Sequence, residues 1–453
     1  MVGLRVEGSL QLRGHNDHGG WSAQKHSRLP TALAFLLTAL LILPGACPAQ
    51  VGYVARFTLD KEKFLQGEPI FCSFVIKNTG TSTFSFRYRS PDRALDRELE
   101  GEPNFSVTTE KGRALPDPAP SPCGGAKGSV VYGSDRLPPG QVHAERWLLN
   151  QWARMPSGRY RVRAERRLPL LTADPASPEF TTSPPAAYAL AVNELSFEVT
   201  PSSEGERRAI FQPYLKMLDA PPPADPSEAV LVLTTLPQPF FLDKLVSLAR
   251  APASERRWNR ERALEGLARL GTPAAWGAIL KIARGEKFAG APPRGSATDR
   301  PDDALRAYAI LLIGEKADSA FFPALFDIIA SSADLRGDAL RALGFLGDAR
   351  ANDVLFENLH SANSTDRVNA ILGVKSLNSK ESIPALLAML RDPAPEVRQV
   401  ANFALQALTG EKFKLSAAAG SAESERVAAR WHHWWQDHAA SFVPAHEAPC
   451  HDW

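Results

Sequence analysis

Histidine and cysteine, the side chains best suited to binding transition metals, concentrate near the C-terminus of this 453-residue chain. Imidazole and thiolate groups are preferred ligands of Zn²⁺ and Cu²⁺. His433 and Asp437 would share one face of a helix, because they are four positions apart. The segment has neither a His-Glu-x-x-His helix nor a Cys-x-x-Cys pair, so metal binding is an alternative hypothesis rather than the leading one. Its candidate ligands are His432, His433, Asp437, His438, His446, Cys450 and His451.

The sequence lacks the common catalytic and cofactor-binding motifs. It contains no nucleophile elbow, no Walker loop and no dinucleotide fingerprint. Cys123 lies in a Pro- and Gly-rich stretch, with no histidine motif to activate its thiol. The net charge is only +2, and no basic stripe is interleaved with aromatic residues, which argues against nucleic-acid binding. We therefore predict a non-enzymatic protein without a cofactor, whose partners are other proteins.

An apolar run near the N-terminus indicates export. Lys25 and Arg28 precede Thr31–Leu43, an uncharged segment that is shorter than the roughly 20 residues that span a bilayer. Such a run is typical of a signal peptide. Small residues follow it, and cleavage after Ala49 would leave Gln50 at the N-terminus. Residues 1–49 are thus predicted to be a leader and signal peptide, which places the protein in the periplasm, the cell envelope or the medium; an uncleaved anchor is the alternative.

Three of the four cysteines raise specific questions. Cys47 follows the apolar run, but Leu43 stands one position too far from it to match the bacterial lipobox. Membrane attachment is expected only through an uncleaved signal or a lipid at Cys47. Export permits disulfides, and Cys72 and Cys123 could pair, although Cys72 could equally be a small buried apolar residue.

Residues 51–200 follow the period of two that β-strands impose. Tyr160, Val162 and Ala164 alternate with charged neighbours, as in a sheet with one wet face. The arginines of that wet face are interpreted as a solvated surface rather than an anion site. The turn and strand motifs of the region resemble the immunoglobulin-like modules of bacterial secreted proteins, which implies a β-sandwich. These motifs are Gly67–Pro69, Lys77–Gly80, Leu137–Gly140 and Ser157–Tyr160.

The C-terminal half contains an internal repeat. An arginine recurs three residues before an alanine at intervals of 30, 31 and 31 residues, and an earlier copy, followed by leucines at helical spacing, precedes these by 44 residues. The Gly- and Pro-rich insertion Gly285–Ala297 accounts for the longer interval. A repeat of this period indicates a solenoid rather than a coiled coil or a single bundle. The register arginines are Arg262, Arg306, Arg336, Arg367 and Arg398.

Each arginine-bearing helix is followed by a Gly or Asn, residues that tolerate the left-handed conformation at helix ends. The predicted stops are Gly271, Gly314, Gly347, Asn378 and Gly410. The pattern resembles HEAT repeats, especially the short bacterial form also found in phycobilin lyases, and Val397-Arg398 and Leu346-Gly347-Asp348 are its most specific elements. The resemblance implies about five helical hairpins over 240–410, preceded by a helical and Pro-rich linker at 201–239.

The repeated arginine has a structural explanation. At the start of the second helix it can bridge to an acidic residue or a carbonyl of the adjoining repeat. Residues 411–453 would form a cap and tail, because the terminal repeat needs a cover. Trp431, Trp434 and Trp435 fall on one helix face suited to that task.

The fold class predicted from these patterns is a multidomain protein, with an all-β immunoglobulin-like sandwich followed by an all-α HEAT-like solenoid. The leading functional hypothesis is an exported scaffolding protein that binds protein partners through the repeat surface. The alternative is metal binding in the tail. Two weaker hypotheses are a peptidase-inhibitor-like contact through the loop Ala114–Gly128 and the chromophore-attaching activity implied by the phycobilin lyase resemblance.

Overall fold

The computed structural model describes residues 52–89, 101–116, 118, 132–177, 180, 184–219, 226–251, 257–286, 303–416 and 419–444. The predicted signal segment, Cys47, Cys123, most of the loop Ala114–Gly128 and the end of the tail lie outside these residues. None of the helices in the described ranges is both long enough and apolar enough to cross a membrane.

The N-terminal region is rich in strands, as the alternation predicts. Antiparallel pairing with alternating burial organises most of it, and the long hairpin formed by the last two strands is its largest element. The strands are β1 (Tyr53–Leu59), β2 (Lys63–Leu65), β3 (Phe71–Asn78), β4 (Phe84–Arg89), β5 (Pro103–Thr109), β6 (Tyr132–Leu137), β7 (Val142–Leu148), β8 (Gly158–Leu170) and β9 (Ala187–Thr200).

These strands form three hydrogen-bonded groups. One sheet has the order β1-β3-β7, a second has the order β2-β9-β8-β5, and β4 and β6 form a two-stranded ribbon. The ribbon joins the second sheet through a backbone bridge between Ser85 and Leu171. The short strand β2 runs parallel to the final strand β9, and the other pairs are antiparallel. The inward side chains share one apolar core, in which Phe57 packs against Phe74 and Phe105.

The C-terminal half is helical. The α-helices in the described residues are α1 (Glu204–Asp219), α2 (Ser227–Thr235), α3 (Leu242–Ala249), α4 (Arg257–Leu270), α5 (Pro273–Arg284), α6 (Asp303–Glu315), α7 (Phe322–Ser331), α8 (Arg336–Phe345), α9 (Arg350–Asn358), α10 (Ser364–Ser376), α11 (Ser382–Met389), α12 (Pro395–Thr409) and α13 (Ser421–His438).

Helices α3 to α12 pair as five consecutive hairpins. The second helices α4, α6, α8, α10 and α12 also contact one another in order, and the first helices cover one side of that row. Gly271, Gly347 and Gly410 adopt left-handed backbone conformations after their helices, as predicted, and so does Asn378. Gly314 does not, because it lies inside α6; the left-handed residue after that helix is Ala317, with φ 53°.

Residues 201–239, predicted to be a linker, also carry core helices. Ser203 and Glu206 form a capping box at the start of α1, in which each side chain accepts a hydrogen bond from the other residue's backbone N–H. Phe211 of α1 and the apolar side chains of α2 are buried in the same core as the hairpins. The segment is therefore the first layer of the array and not only a connection.

The strand-rich domain packs directly against these first helices. The side chains of Phe71 and Leu148 pack into the core of the helices rather than into the core of the strand-rich domain. The Arg146 guanidinium lies 4.0 Å from the centre of the Phe71 ring and within ion-pair distance of both Asp60 and Glu228. Apolar packing and a bridging arginine therefore join the two regions.

Candidate functional site

The five register arginines each lie on the second helix of a hairpin, so their spacing in the sequence is the spacing of the hairpins. The Arg336 Nε donates to the carbonyl oxygen of Ile329 on α7 at 3.0 Å, which closes its own hairpin. Its Nη1 lies 3.4 Å from the carboxylate of Asp366 at the start of α10. One side chain thus ties two helices of its hairpin together and reaches the next hairpin.

Arg367 makes the strongest of these contacts. It donates two hydrogen bonds, of 2.8 and 2.7 Å, to the carboxylate of Asp392, which precedes α12. The side chains of Arg367 and Asp392 are only 11% and 5% exposed. Bidentate, partly desolvated pairs are stronger and more directional than exposed ones. Arg367 also donates to the carbonyl of Ser361, so it fixes the turn before its own helix.

Arg398, the last register arginine, connects the final hairpin to the segment that follows it. It donates to the Asp392 carbonyl at 2.8 Å within its own hairpin. It also donates to the Ser424 hydroxyl at 3.0 Å and to the Ala419 carbonyl at 3.2 Å. Ser424 lies on α13, so the stacking contact continues from the hairpins into the cap.

The two earlier arginines have different surroundings. Arg306 donates to the Ala283 carbonyl of the preceding helix at 3.2 Å and to Asp303, the first residue of its own helix, at 2.9 Å. Burial lowers the pKa of Arg262, against the opposing influence of Glu265 at 4.0 Å. These contacts, like those of the later copies, are the kind expected of residues that stack the repeats, and they leave the arginines on the inner side of the array.

Small residues bring consecutive second helices close together. A Cβ added to Gly314 would lie 2.7 Å from the Cα of Ala342 in the next helix. A Cβ added to Gly344 would overlap the carbonyl of Gly373. Such distances are shorter than real Cβ contacts, so larger side chains would force the helices apart. The backbone contact keeps the second helices side by side and aligns their outer positions.

The outer positions form a continuous surface, which we call the second-helix face. They lie two, five and nine residues after each of the last four register arginines, a spacing that keeps them on one side of a helix. All are at least partly exposed. The members are Tyr308, Leu311, Glu315, Asp338, Arg341, Phe345, Asn369, Leu372, Ser376, Val400, Phe403 and Ala407.

The chemistry of the second-helix face changes along the array. Its first part is polar: the Tyr308 hydroxyl donates to Glu265 at 2.7 Å, and burial raises the pKa of Asp338 against the opposing charge of Arg341. Its last part is apolar and consists of Val400, Phe403 and Ala407, of which the Phe403 side chain is 55% exposed. A surface of this kind offers a place for apolar anchors flanked by charged groups.

The predicted tryptophan cap covers the last hairpin. Trp431 is fully buried, and its Nε1 donates to the side-chain oxygen of Asn402 on α12 at 2.7 Å. Its ring lies 4.4 Å from that of Phe413. Trp434 and Trp435 are partly buried against the same core. The cap therefore combines apolar cover with one buried polar contact that fixes its position.

The predicted metal ligands are not gathered in the part of the chain that the structure describes. His433 and Asp437 form an exposed pair at 3.6 Å on one helix face. The His438 ring stacks on Trp434, and its Nδ1 lies 2.7 Å from the Trp434 carbonyl oxygen. No group of three or more potential ligands occurs among the described residues. His446, Cys450 and His451 lie outside those residues.

A chain of charged side chains crosses the core of the strand-rich domain, among residues that were not predicted to be functional. Arg166, 1% exposed, donates to Glu145 Oε1 at 2.9 Å and to the Gly101 carbonyl at 2.7 Å. The two ring nitrogens of His143 lie 2.9 Å from Glu145 Oε1 and Asp135 Oδ2. The sequence does contain a sign of this buried arginine. Arg166 occupies an inward-facing position of β8, because it continues the every-second-residue pattern that begins at Tyr160.

Of the two cysteines predicted to pair, one is described. Cys72 is fully buried in the sandwich core with a free thiol, and burial raises its pKa to about 12. This environment suits a small apolar residue and keeps the thiol protonated. Cys123 lies outside the described residues, and its pairing with Cys72 stays a prediction.

Comparison with known proteins supports the assignment of the repeat. Residues 291–371 match the family model described as HEAT repeats. The matched segment contains helices α6 to α9 and confirms the predicted resemblance of the C-terminal half. HEAT repeats are typically non-catalytic surfaces for protein contacts. No curated protein matches the sequence.

Several solved structures are similar to this chain at low identity. The designed armadillo repeat protein YIII(Dq)4CqI is 17% identical over 45% of this chain and 94% of its own, with a TM-score of 0.25. The complex of CpcE and CpcF of phycocyanin lyase from Nostoc sp. PCC7120 is 15% identical over 49% of this chain and 83% of its own, also at 0.25. At these values the likeness carries no argument about function.

Proposed function

We propose that this chain is an exported scaffolding protein that binds protein partners through the second-helix face. One observation carries the proposal: four consecutive second helices expose residues at the same three positions of the repeat. The register arginines and the small residues satisfy the stacking, so the exposed positions are available for a partner. Phe403, Leu372 and Val400 would be the apolar anchors, because large apolar side chains supply most of the energy of such contacts.

Export forms the second part of the proposal. The apolar run Thr31–Leu43 and the small residues before Gln50 support it. N-terminal sequencing of the protein from a bacterial cell envelope fraction would test it. Removal of residues 1–49 is the expected result, whereas an intact N-terminus on cytoplasmic protein would contradict export. A lipid on Cys47 would appear as a mass increase on that residue.

We also propose that the strand-rich domain is an immunoglobulin-like sandwich. The parallel pairing of β2 with the last strand and the antiparallel pairing of β3 with β7 are consistent with that arrangement. The Tyr160 hydroxyl donates to the Pro156 carbonyl at 2.6 Å, near the start of the penultimate strand. This contact resembles the tyrosine corner of such sandwiches and supports the proposal. In the proposal, the strand-rich domain holds the helical array in position, and the array binds the protein partner.

A photo-crosslinking experiment tests the binding surface. A photoreactive phenylalanine analogue would replace Phe403 in one strain and Phe326 in another. Both phenylalanines are exposed, at 55% and 46%, but Phe326 lies on a first helix, outside the second-helix face. We expect discrete crosslinked proteins from position 403 and none of them from position 326. The same products from both positions, or products from position 326 alone, would contradict the proposal.

A further inference from the structure

The charge chain in the strand-rich domain requires a particular protonation state of His143. Its Nδ1 lies 2.9 Å from Asp135 Oδ2, and its Nε2 lies 2.9 Å from Glu145 Oε1. Ionised carboxylates only accept hydrogen bonds, so both ring nitrogens must donate. A neutral imidazole has one N–H and would point a lone pair at one carboxylate. The geometry therefore selects the imidazolium.

Charge balance supports the same state. With His143 protonated, Arg166 and His143 carry two positive charges, and Glu145 and Asp135 carry two negative charges. Loss of the His143 proton leaves one negative charge in excess, at a site where the side chains of Arg166 and Glu145 are 1% and 9% exposed. An unbalanced charge in such a poorly solvated place is unfavourable.

The chain connects strands that the backbone ladders do not. Asp135 belongs to β6, which pairs only with β4 among the described strands, whereas His143 belongs to β7 of another sheet. Arg166 extends the connection to β8, and its bond to the Gly101 carbonyl reaches the segment before β5. Other contacts also hold the ribbon: the backbone bridge of Ser85 with Leu171, the buried rings of Phe84 and Phe86, the hydrogen bond from the Asn78 amide to the Leu137 carbonyl and the exposed pair of Arg136 with Asp174.

We propose that His143 is a protonation-dependent latch that strengthens the attachment of β6 to the strand-rich domain while the imidazole is charged and loosens it when the proton is lost to alkaline solvent. The inference is independent of the proposed binding function. The charged groups facing His143 are Asp135 from β6 and Glu145 from β7, with Arg166 of β8 behind Glu145. Strand β4 contributes the uncharged Phe86 ring, at 4.8 Å, and β3 contributes the uncharged Ile76.

The direction of the pH effect follows from the pKa of His143. Burial by itself lowers this pKa, but the hydrogen bonds to Asp135 and Glu145 and the negative charges of these two groups together outweigh burial and raise it to about 9. Because the folded-state pKa lies above the ordinary value of about 6.5, the stabilisation is fully present below pH 6.5. It is lost as the pH rises through 9. The equilibrium constant for latch closure is expected to fall by roughly a hundredfold across this range.

Two measurements on the full chain test the latch. Histidine-selective ¹⁵N NMR should show both His143 nitrogens protonated at pH 7 and a titration midpoint near 9. Hydrogen exchange, corrected for the intrinsic rate, should show that amides of β6 lose protection above that midpoint while those of β3 and α8 keep it. A midpoint near the ordinary value would overturn the proposal, and so would loss of protection in β6 and β3 together.

Variants separate the latch from general alkaline effects. His143→Gln cannot donate from both sides, so β6 should already be poorly protected at pH 7 and should change little up to pH 10. Asp135→Asn should lower the His143 midpoint by a unit or more, because it removes one of the two negative charges. His438→Gln, at an exposed histidine in the cap, is the matched control and should behave as wild type. If β6 protection in His143→Gln depended on pH as it does in the wild type, the proposal would be wrong, even if the variant were less stable.

Discussion

The strand-rich domain and the helical array both bury arginine side chains, but they satisfy them in different ways. In the array, a similar contact recurs: Arg336 bonds a carbonyl of the preceding helix, Arg367 and Arg398 bond carbonyls of the turn before their own helix, and all three reach an oxygen of the following unit. In the sandwich, Arg166 takes part in a single chain that joins three strands and does not recur. The array distributes its polar contacts along the stack, whereas the sandwich concentrates them at one point.

This difference has consequences for stability. A repeat array gains its stability from similar interfaces between neighbours, so the loss of one contact weakens one interface. A single buried charge network has no second copy, and removal of one member leaves the others unbalanced. Mutations in the sandwich chain should therefore cost more than mutations of any one register arginine, and the four predictions below test this ordering.

Arg166→Ala should have the largest effect. It leaves Glu145 buried without its main positive partner, and breaking a buried ion pair in this way costs about 3–5 kcal/mol. Hydrogen exchange of the β3 and β8 amides measures the effect in the strand-rich domain, and far-UV circular dichroism during urea unfolding measures it for the helices. The loss should be confined to the strand amides. Arg161→Ala, on the exposed face of the same strand, is the control and should change stability by less than about 0.5 kcal/mol.

Trp431→Ala should destabilise the end of the array by about 3–4 kcal/mol. The substitution opens a cavity in the core and leaves the Asn402 side-chain oxygen without the indole donor. Hydrogen exchange should show faster opening of α12 and α13, with little change at α6. Trp435→Ala removes a tryptophan of the same helix that is only partly buried and should cost less. Equal losses at α6 and α12 would mean that the array unfolds as one unit, contrary to the comparison.

Arg367→Lys should cost about 1–2 kcal/mol. Lysine keeps the charge but cannot make the bidentate contact with Asp392. The expected readout is faster exchange of α10 and α12 amides, without a change in the sandwich. Arg350→Lys is the matched control, because Arg350 is 58% exposed and makes its shortest contact with Asp348 in its own turn. A loss at Arg367 as large as that at Arg166 would contradict the proposed difference between the regions.

Phe403→Ala should have the smallest effect on stability, below about 0.5 kcal/mol, since the side chain is more than half exposed. If the second-helix face binds a partner, the same change should weaken capture of the crosslinked partner by tenfold or more, as for an anchor residue. Phe326→Ala should leave capture unchanged. Pull-down with the purified full chain and quantitative immunoblotting would distinguish these outcomes.

The repeated parts of the molecule were the most predictable from the sequence. Helical periodicity and the spacing of Arg306, Arg336 and Arg367 depend on residues close together in the chain, so a single sequence reveals them. The alternation around Tyr160 predicted strands for the same reason. The helical stop at Gly314 was wrong, because this glycine serves close packing against Ala342 and not a left-handed turn.

Other features depended on contacts between distant residues. Arg166 and Glu145 are 21 positions apart and meet only because β7 and β8 face each other across the core. The position of α1 and α2 in the first layer of the array, and the packing of Phe71 against it, likewise arise from tertiary contacts. The proline-rich stretch between α1 and α2 concealed this arrangement, because a local signal for a turn does not show what the flanking helices pack against.

For this protein, the sequence by itself determined where strands give way to helices, the period of the array, its arginine register and its tryptophan cap. Each of these features depends on the spacing of residues that are close together in the chain, because that spacing determines the side chains that share one face of a helix or strand. Only the tertiary structure decided which exposed positions line up into the second-helix face and which charged groups meet inside the sandwich. The reason is physical. Local spacing determines which face of an element is apolar, but the packing of the whole chain determines which other element contacts that face.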